Sequence, residues 1–108
     1  MAVPSDNETW IIDAGDAVIQ KKAAGGIEAL SPSEHLIYCL WVADYGMRNS
    51  GDLVTAADLY PPFQQEAVRL AAKLDLPFTQ ESFSLPVPLL QQQYFDRFDR
   101  LCHELQYA

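Results

Sequence analysis

Ser31-Pro32-Ser33-Glu34-His35-Leu36-Ile37-Tyr38-Cys39-Leu40-Trp41-Val42-Ala43 is the stretch on which the reading of the fold turns. Ser31 fits the N-cap of a helix and Pro32 its first position, where a missing N–H costs nothing. Glu34 occupies the third position, the reciprocal place of a capping box. The eight residues from Leu36 to Ala43 then show no polar face, so the helix they form needs neighbours on most sides. A buried strand can carry the same run, but the capping signal upstream favours a helix. Its end is expected near Arg48-Asn49-Ser50-Gly51, where Asn and Gly tolerate positive φ.

Working outward, Trp10, Ile11, Ala14, Ala17 and Val18 fall on one helical face before Lys21-Lys22-Ala23-Ala24-Gly25-Gly26. Lysines in a last turn meet the negative dipole end, and glycine supplies the cap. Residues 52–60 read as a short helix or turn. Pro61-Pro62 opens a further helix with Phe63, Ala67, Leu70, Ala71 and Leu74 on one face. Three prolines and no clear period between Leu76 and Pro88 mark a connector. The last helix presents Leu90, Tyr94, Phe98, Leu101 and Leu105, with Phe95 and Cys102 widening the stripe. Asp96, Arg97, Arg100 and Glu104 form its solvated side. The expectation is an all-α, single-domain bundle over residues 1–108, with main helices at about 6–24, 32–48, 62–75 and 88–106.

Fifteen acids against seven lysines and arginines give a net charge of −8. That surplus repels phosphate backbones and excludes direct nucleic-acid binding, while favouring basic protein partners. It is uneven: residues 1–60 carry nine acids and three bases, and residues 61–108 carry six and four. No apolar run reaches the roughly 18 residues of a membrane span, and the first residues lack the pattern of a signal peptide. A cytoplasmic protein with reduced core thiols at Cys39 and Cys102 is expected.

No residue set names a reaction. His35 with Cys39 and Cys102 with His103 supply the donors of a Cys2His2 zinc site, but adjacent residues on a helix point about 100° apart, and no metal is expected. Cys39 lies among apolar neighbours, unlike a reactive thiolate. No cofactor is implied, because the glycine-containing turns match no nucleotide fingerprint. Asp44 is the best semi-buried acid, with Arg48 one turn on as its ion-pair partner. A pocket or junction there would draw on Tyr38, Asp44, Tyr45, Arg48, Asn49 and Asp52. Asp6, Asp13 and Asp16 lie within about 80° of one another on a continuous first helix, with Glu8 nearby in sequence. Carboxylates spaced in this way imitate a line of DNA phosphates; acids near a helix N-terminus also simply complement its dipole.

The run Leu30 to Trp41, followed by Asp44, Asn49 and Ser50-Gly51-Asp52-Leu53, resembles a family of small bacterial helical domains whose best-known representatives are DNA-mimic proteins. The likeness continues through residues 63–74 and 94–105. It implies that Asp44 and Asn49 organise the junction after the central helix. The chain departs from the family in passing straight from Met47-Arg48-Asn49 to Ser50-Gly51, without the usual Asn-Gly-Gly turn and aromatic-rich segment. The leading expectation is a non-enzymatic interaction module whose acidic first half binds a basic partner protein, as a DNA mimic or as an immunity- or antitoxin-like inhibitor. The other readings are a small ligand-binding or enzymatic bundle around Asp44, and a structural subunit of a homo-oligomer.

Overall fold

The computed structural model describes residues 6–107. Six α-helices follow in order among them: α1 (Asp6–Gly25), α2 (Pro32–Ser50), α3 (Val54–Leu59), α4 (Phe63–Lys73), α5 (Pro77–Phe83) and α6 (Val87–Gln106). A single 3-10 turn, Ile27–Ala29, links the first two, and no strand occurs among the described residues. The all-α expectation holds, with two more short helices than the four main ones.

The central helix begins as its sequence dictates. Ser31 Oγ accepts from the Glu34 amide at 3.2 Å, and Glu34 Oε1 accepts from the Ser31 amide at 2.8 Å. At its other end Gly51 adopts φ 74°, and its N–H donates to Met47 O at 3.0 Å. Leu36, Tyr38, Cys39, Leu40, Val42, Ala43 and Met47 are all buried, so α2 is enclosed on several sides. Helices α1, α3, α4 and α6 all pack on it, and their apolar faces join α2 in one continuous core. Gly46 allows α3 to fold back closely: a β-carbon there would lie 2.9 Å from the Asp52 carbonyl oxygen and 3.1 Å from the Ala56 nitrogen.

Helix α1 runs antiparallel to α2. Lys21 Nζ meets Glu34 Oε1 at 2.8 Å at one end, and Glu8 Oε1 meets Arg48 Nη1 at 3.1 Å at the other. Between them Gly15 lies directly on the Trp41 ring, with which any β-carbon would collide.

The connector expected at 76–88 is in part a helix, α5. Its start depends on two devices. Asp75 takes a left-handed conformation (φ 59°) after α4, letting the Leu76 amide donate back to Ala71 O at 2.8 Å and the Asp75 amide to Ala72 O at 3.3 Å. This is a Schellman stop with aspartate in the place usually held by glycine. Pro77 then fills the first helical position, and Glu104 of α6 accepts from the Phe78 amide (3.1 Å), the Thr79 amide (2.7 Å) and Thr79 Oγ1 (2.8 Å). A distant carboxylate thus satisfies donors that a helix N-terminus leaves open.

This corrects the view of one side of α6 as merely solvated. Glu104 caps α5; Arg97 Nη1 donates to Glu81 and Ser82 at 3.0 Å each; and Arg100 lies 4.2 Å from the Phe78 ring centre. Phe95, in contrast, does not widen the buried stripe, since 51% of it is exposed. No described helix is long and apolar enough to cross a membrane.

Candidate functional site

The most highly connected polar cluster lies where α1, α2 and α6 meet. Asp44, 5% exposed, accepts from Arg48 Nε at 3.0 and 2.9 Å through its two oxygens. Its Oδ1 also accepts from the Tyr94 hydroxyl at 2.8 Å. The i,i+4 spacing on α2 brings the guanidinium beside the carboxylate, and α6 carries Tyr94 across from the opposite side. Arg48 spends a second nitrogen on Glu8 of α1, while its guanidinium carbon lies 4.8 Å and 5.2 Å from the Phe98 and Phe95 ring centres. Burial pushes the Tyr94 phenol well above its ordinary range, and the Asp44 charge adds to the shift. Tyr94 is therefore a neutral donor at any physiological pH. A general base needs access to the proton that it removes. Asp44 instead has its oxygens engaged and faces the interior, as a lock between helices does.

The other residues singled out from the sequence do not converge on Asp44. Tyr38 is buried beside Trp41 (6.4 Å between ring centres) and Tyr60 (5.2 Å), with the Lys22 ammonium 5.3 Å from its ring. Tyr45, 42% exposed, stacks on Trp41 at 5.4 Å. Asn49 turns back to donate to Tyr45 O at 2.8 Å, and Asp52 accepts from the Val54 amide at 3.0 Å to begin α3. Asn49 and Asp52 thus serve backbone turns. Sequence reasoning missed Tyr94 and the engagement of Glu8; both meet Arg48 or Asp44 only through folding, from 50 and 40 residues away.

Of the acids expected on the first helix, Asp13 and Asp16 are exposed. Glu8 is drawn to Arg48. The side chain of Asp6 lies outside the described residues.

His35 and Cys39 make no reactive pair. His35 Nε2 hydrogen-bonds the Tyr60 hydroxyl at 2.7 Å, and burial lowers the imidazole pKa. Burial raises the Cys39 thiol far above its ordinary value and pushes Cys102 up to about 12, so both stay protonated. Among the described residues, no three His, Cys, Asp or Glu side chains are grouped as a metal site requires.

Two open clefts lie elsewhere. One, about 350 Å³, is lined by Gln64, Gln65, Val68 and Phe83. The other, about 400 Å³, is bounded by Phe78, Glu81, Arg97, Arg100 and Glu104, with Pro77 at its edge. Several polar groups of both are committed to structure. Gln64 donates to the Phe83 and Leu85 carbonyls, and Glu81 and Glu104 hold Arg97 and the start of α5.

The fold and the cluster define a small all-α protein whose buried carboxylate, Asp44, is held by Arg48 and Tyr94 and whose Asp13 and Asp16 face outward. No protein-family model, no characterised protein and no solved structure matches this chain.

Proposed function

We propose that this chain is a non-enzymatic interaction module that captures a basic protein through its acidic surface. The observation that carries this reading is the exposed pair Asp13 and Asp16 on α1, in a chain of net charge −8. The cations available to neutralise that surface are mostly spent elsewhere: Lys21 on Glu34, Arg48 on Asp44 and Glu8, Arg69 on Glu66, and Arg97 on Glu81. What remains is a negative field that steers a positive partner and speeds encounter. DNA mimicry is the boldest form of this function, with the acids standing in for phosphates in the groove of a DNA-binding protein. The engagement of Asp44 by Arg48 and Tyr94 counts against a reaction centre there.

Affinity capture from native lysate at low and high salt, repeated with Asp13→Asn/Asp16→Asn, tests the proposal. A specific basic protein is expected in the low-salt eluate, lost at high salt and depleted with the variant. Capture indifferent to salt and to both substitutions sinks the reading.

A further inference from the structure

The reading of this chain as an acidic module leaves open where its partner would sit, and the surface offers one place that charge alone does not explain. The two fixed contacts Gly15/Trp41 and Glu8/Arg48 set the register of α1 against α2. Ile12 lies one turn beyond Glu8 and one turn before Gly15. Tyr45 lies one turn beyond Trp41 and one before Arg48. Residues three or four apart share a helix face, so Ile12 and Tyr45 form the rung between these two contacts. Phe95 joins from α6, its ring under the Arg48 guanidinium. All three are large and open to solvent, at 57%, 42% and 51% exposure. A single exposed apolar side chain is ordinary, but each of these is set by the Glu8/Arg48 pair, Ile12 one turn from Glu8, Tyr45 one turn from Arg48 and Phe95 under its guanidinium. Such a grouping makes a patch of the kind used for binding.

The charge around the patch selects the occupant. Glu8 stands one turn before Ile12 and Asp16 one turn beyond it, so both carboxylates share its face of α1. The one cation at the centre, Arg48, is held by Asp44 and Glu8. A second copy of this chain would bring the same negative rim against it. We infer that the surface around Ile12, Tyr45 and Phe95 is the docking site of the basic partner, and that it takes a segment bearing apolar side chains flanked by lysine or arginine. The apolar residues supply affinity at the centre and the acids supply orientation and rate at the rim.

The inference rests on the acidic-module reading, and the test separates the two. The full chain is titrated with three labelled synthetic peptides: a helical leucine/lysine peptide, its leucine/glutamate twin, and an oligolysine of matched charge. The leucine/lysine peptide is expected to bind about tenfold or more tightly than oligolysine, the worth of burying one leucine-sized side chain. Ile12→Gln and Phe95→Gln each remove that advantage, Ile12→Leu and Phe95→Leu keep it, and Leu59→Gln, an exposed apolar site on α3, leaves it unchanged. Melting curves of every variant guard against misfolding. If both basic peptides bind equally, or the two glutamine variants bind like the parent, this docking site is wrong while salt-sensitive oligolysine binding keeps the acidic module. If neither basic peptide binds, both fall. Self-association that Phe95→Gln abolishes in sedimentation assigns the patch to a second copy and overturns the inference.

Discussion

Asp44 stays inside the protein because two helices deliver donors to its carboxylate. Taking such a charge out of water costs several kcal/mol, and removing one partner of a buried pair costs about 3–5 kcal/mol. The bonds around Asp44 are not equal in this respect. Tyr94→Phe deletes one donor of a carboxylate that keeps Arg48, and about 1.5 kcal/mol is expected, the low end for a hydrogen bond to a charged group. Asp44→Asn does more: it leaves the Arg48 guanidinium with Glu8 as its remaining acid, at 3.1 Å and in a partly exposed position. About 2–3 kcal/mol is expected, below the buried-pair range because the charge left behind, Arg48, is exposed. Urea unfolding of both single variants and the double variant gives the ranking and the coupling. A loss for Asp44→Asn no larger than for Tyr94→Phe would show that the ion pair adds nothing to the hydroxyl bond.

At the scale of elements, what the sequence discloses depends on how far apart the cooperating residues lie. Helix α2 is legible because its cap occupies four successive residues, Ser31 to Glu34, and its apolar run follows at once. Helix α5 is not, because its cap is Glu104, more than twenty residues downstream, and because the stop before it uses Asp75 where glycine is the usual signal. The same rule divides the candidate site. Asp44 and Arg48 are one turn apart and readable as a pair, whereas Tyr94 is one of several aromatic residues on α6 and nothing local marks it as the partner of Asp44. A consequence can be measured at α5. Glu104→Gln keeps an acceptor oxygen for the Thr79 amide but gives up the charge and part of the three-donor arrangement. Stability should fall by about 1 kcal/mol, the usual worth of a cap. Amide hydrogen exchange should quicken at the start of α5, with the middle of α6 unchanged. Uniform loss of protection along both helices would mean that Glu104 supports α6 packing and is no local cap.

For the whole molecule, the net charge of −8 sets stability and binding against each other. The ion pairs of the fold are partly exposed, and such pairs contribute roughly 0.2–1 kcal/mol each, which salt screens away. Against them stands the repulsion of the surplus acids. Gathering eight like charges on a globule with a Cα radius of gyration of 12.8 Å, from an unfolded chain of about 30 Å, costs on the order of a few kcal/mol in water by Coulomb's law. Screening relieves that cost, and the Asp44 end of its pair with Arg48 is sheltered from salt by burial. The melting temperature is therefore expected to rise by a few degrees as sodium chloride goes from about 0.01 M to about 0.15 M, where the screening length shortens from roughly 30 Å to 8 Å. Over the same range, affinity for a basic peptide should fall. Asp13→Asn/Asp16→Asn should reproduce both effects without salt, giving a protein that melts higher and binds more weakly. Both residues are exposed, and among the described residues Asp16 has only the Gln20 amide, 3.3 Å away, as a hydrogen-bond partner, which asparagine can keep. A variant that melts lower and binds unchanged would place these two carboxylates in the service of the fold, not of a partner.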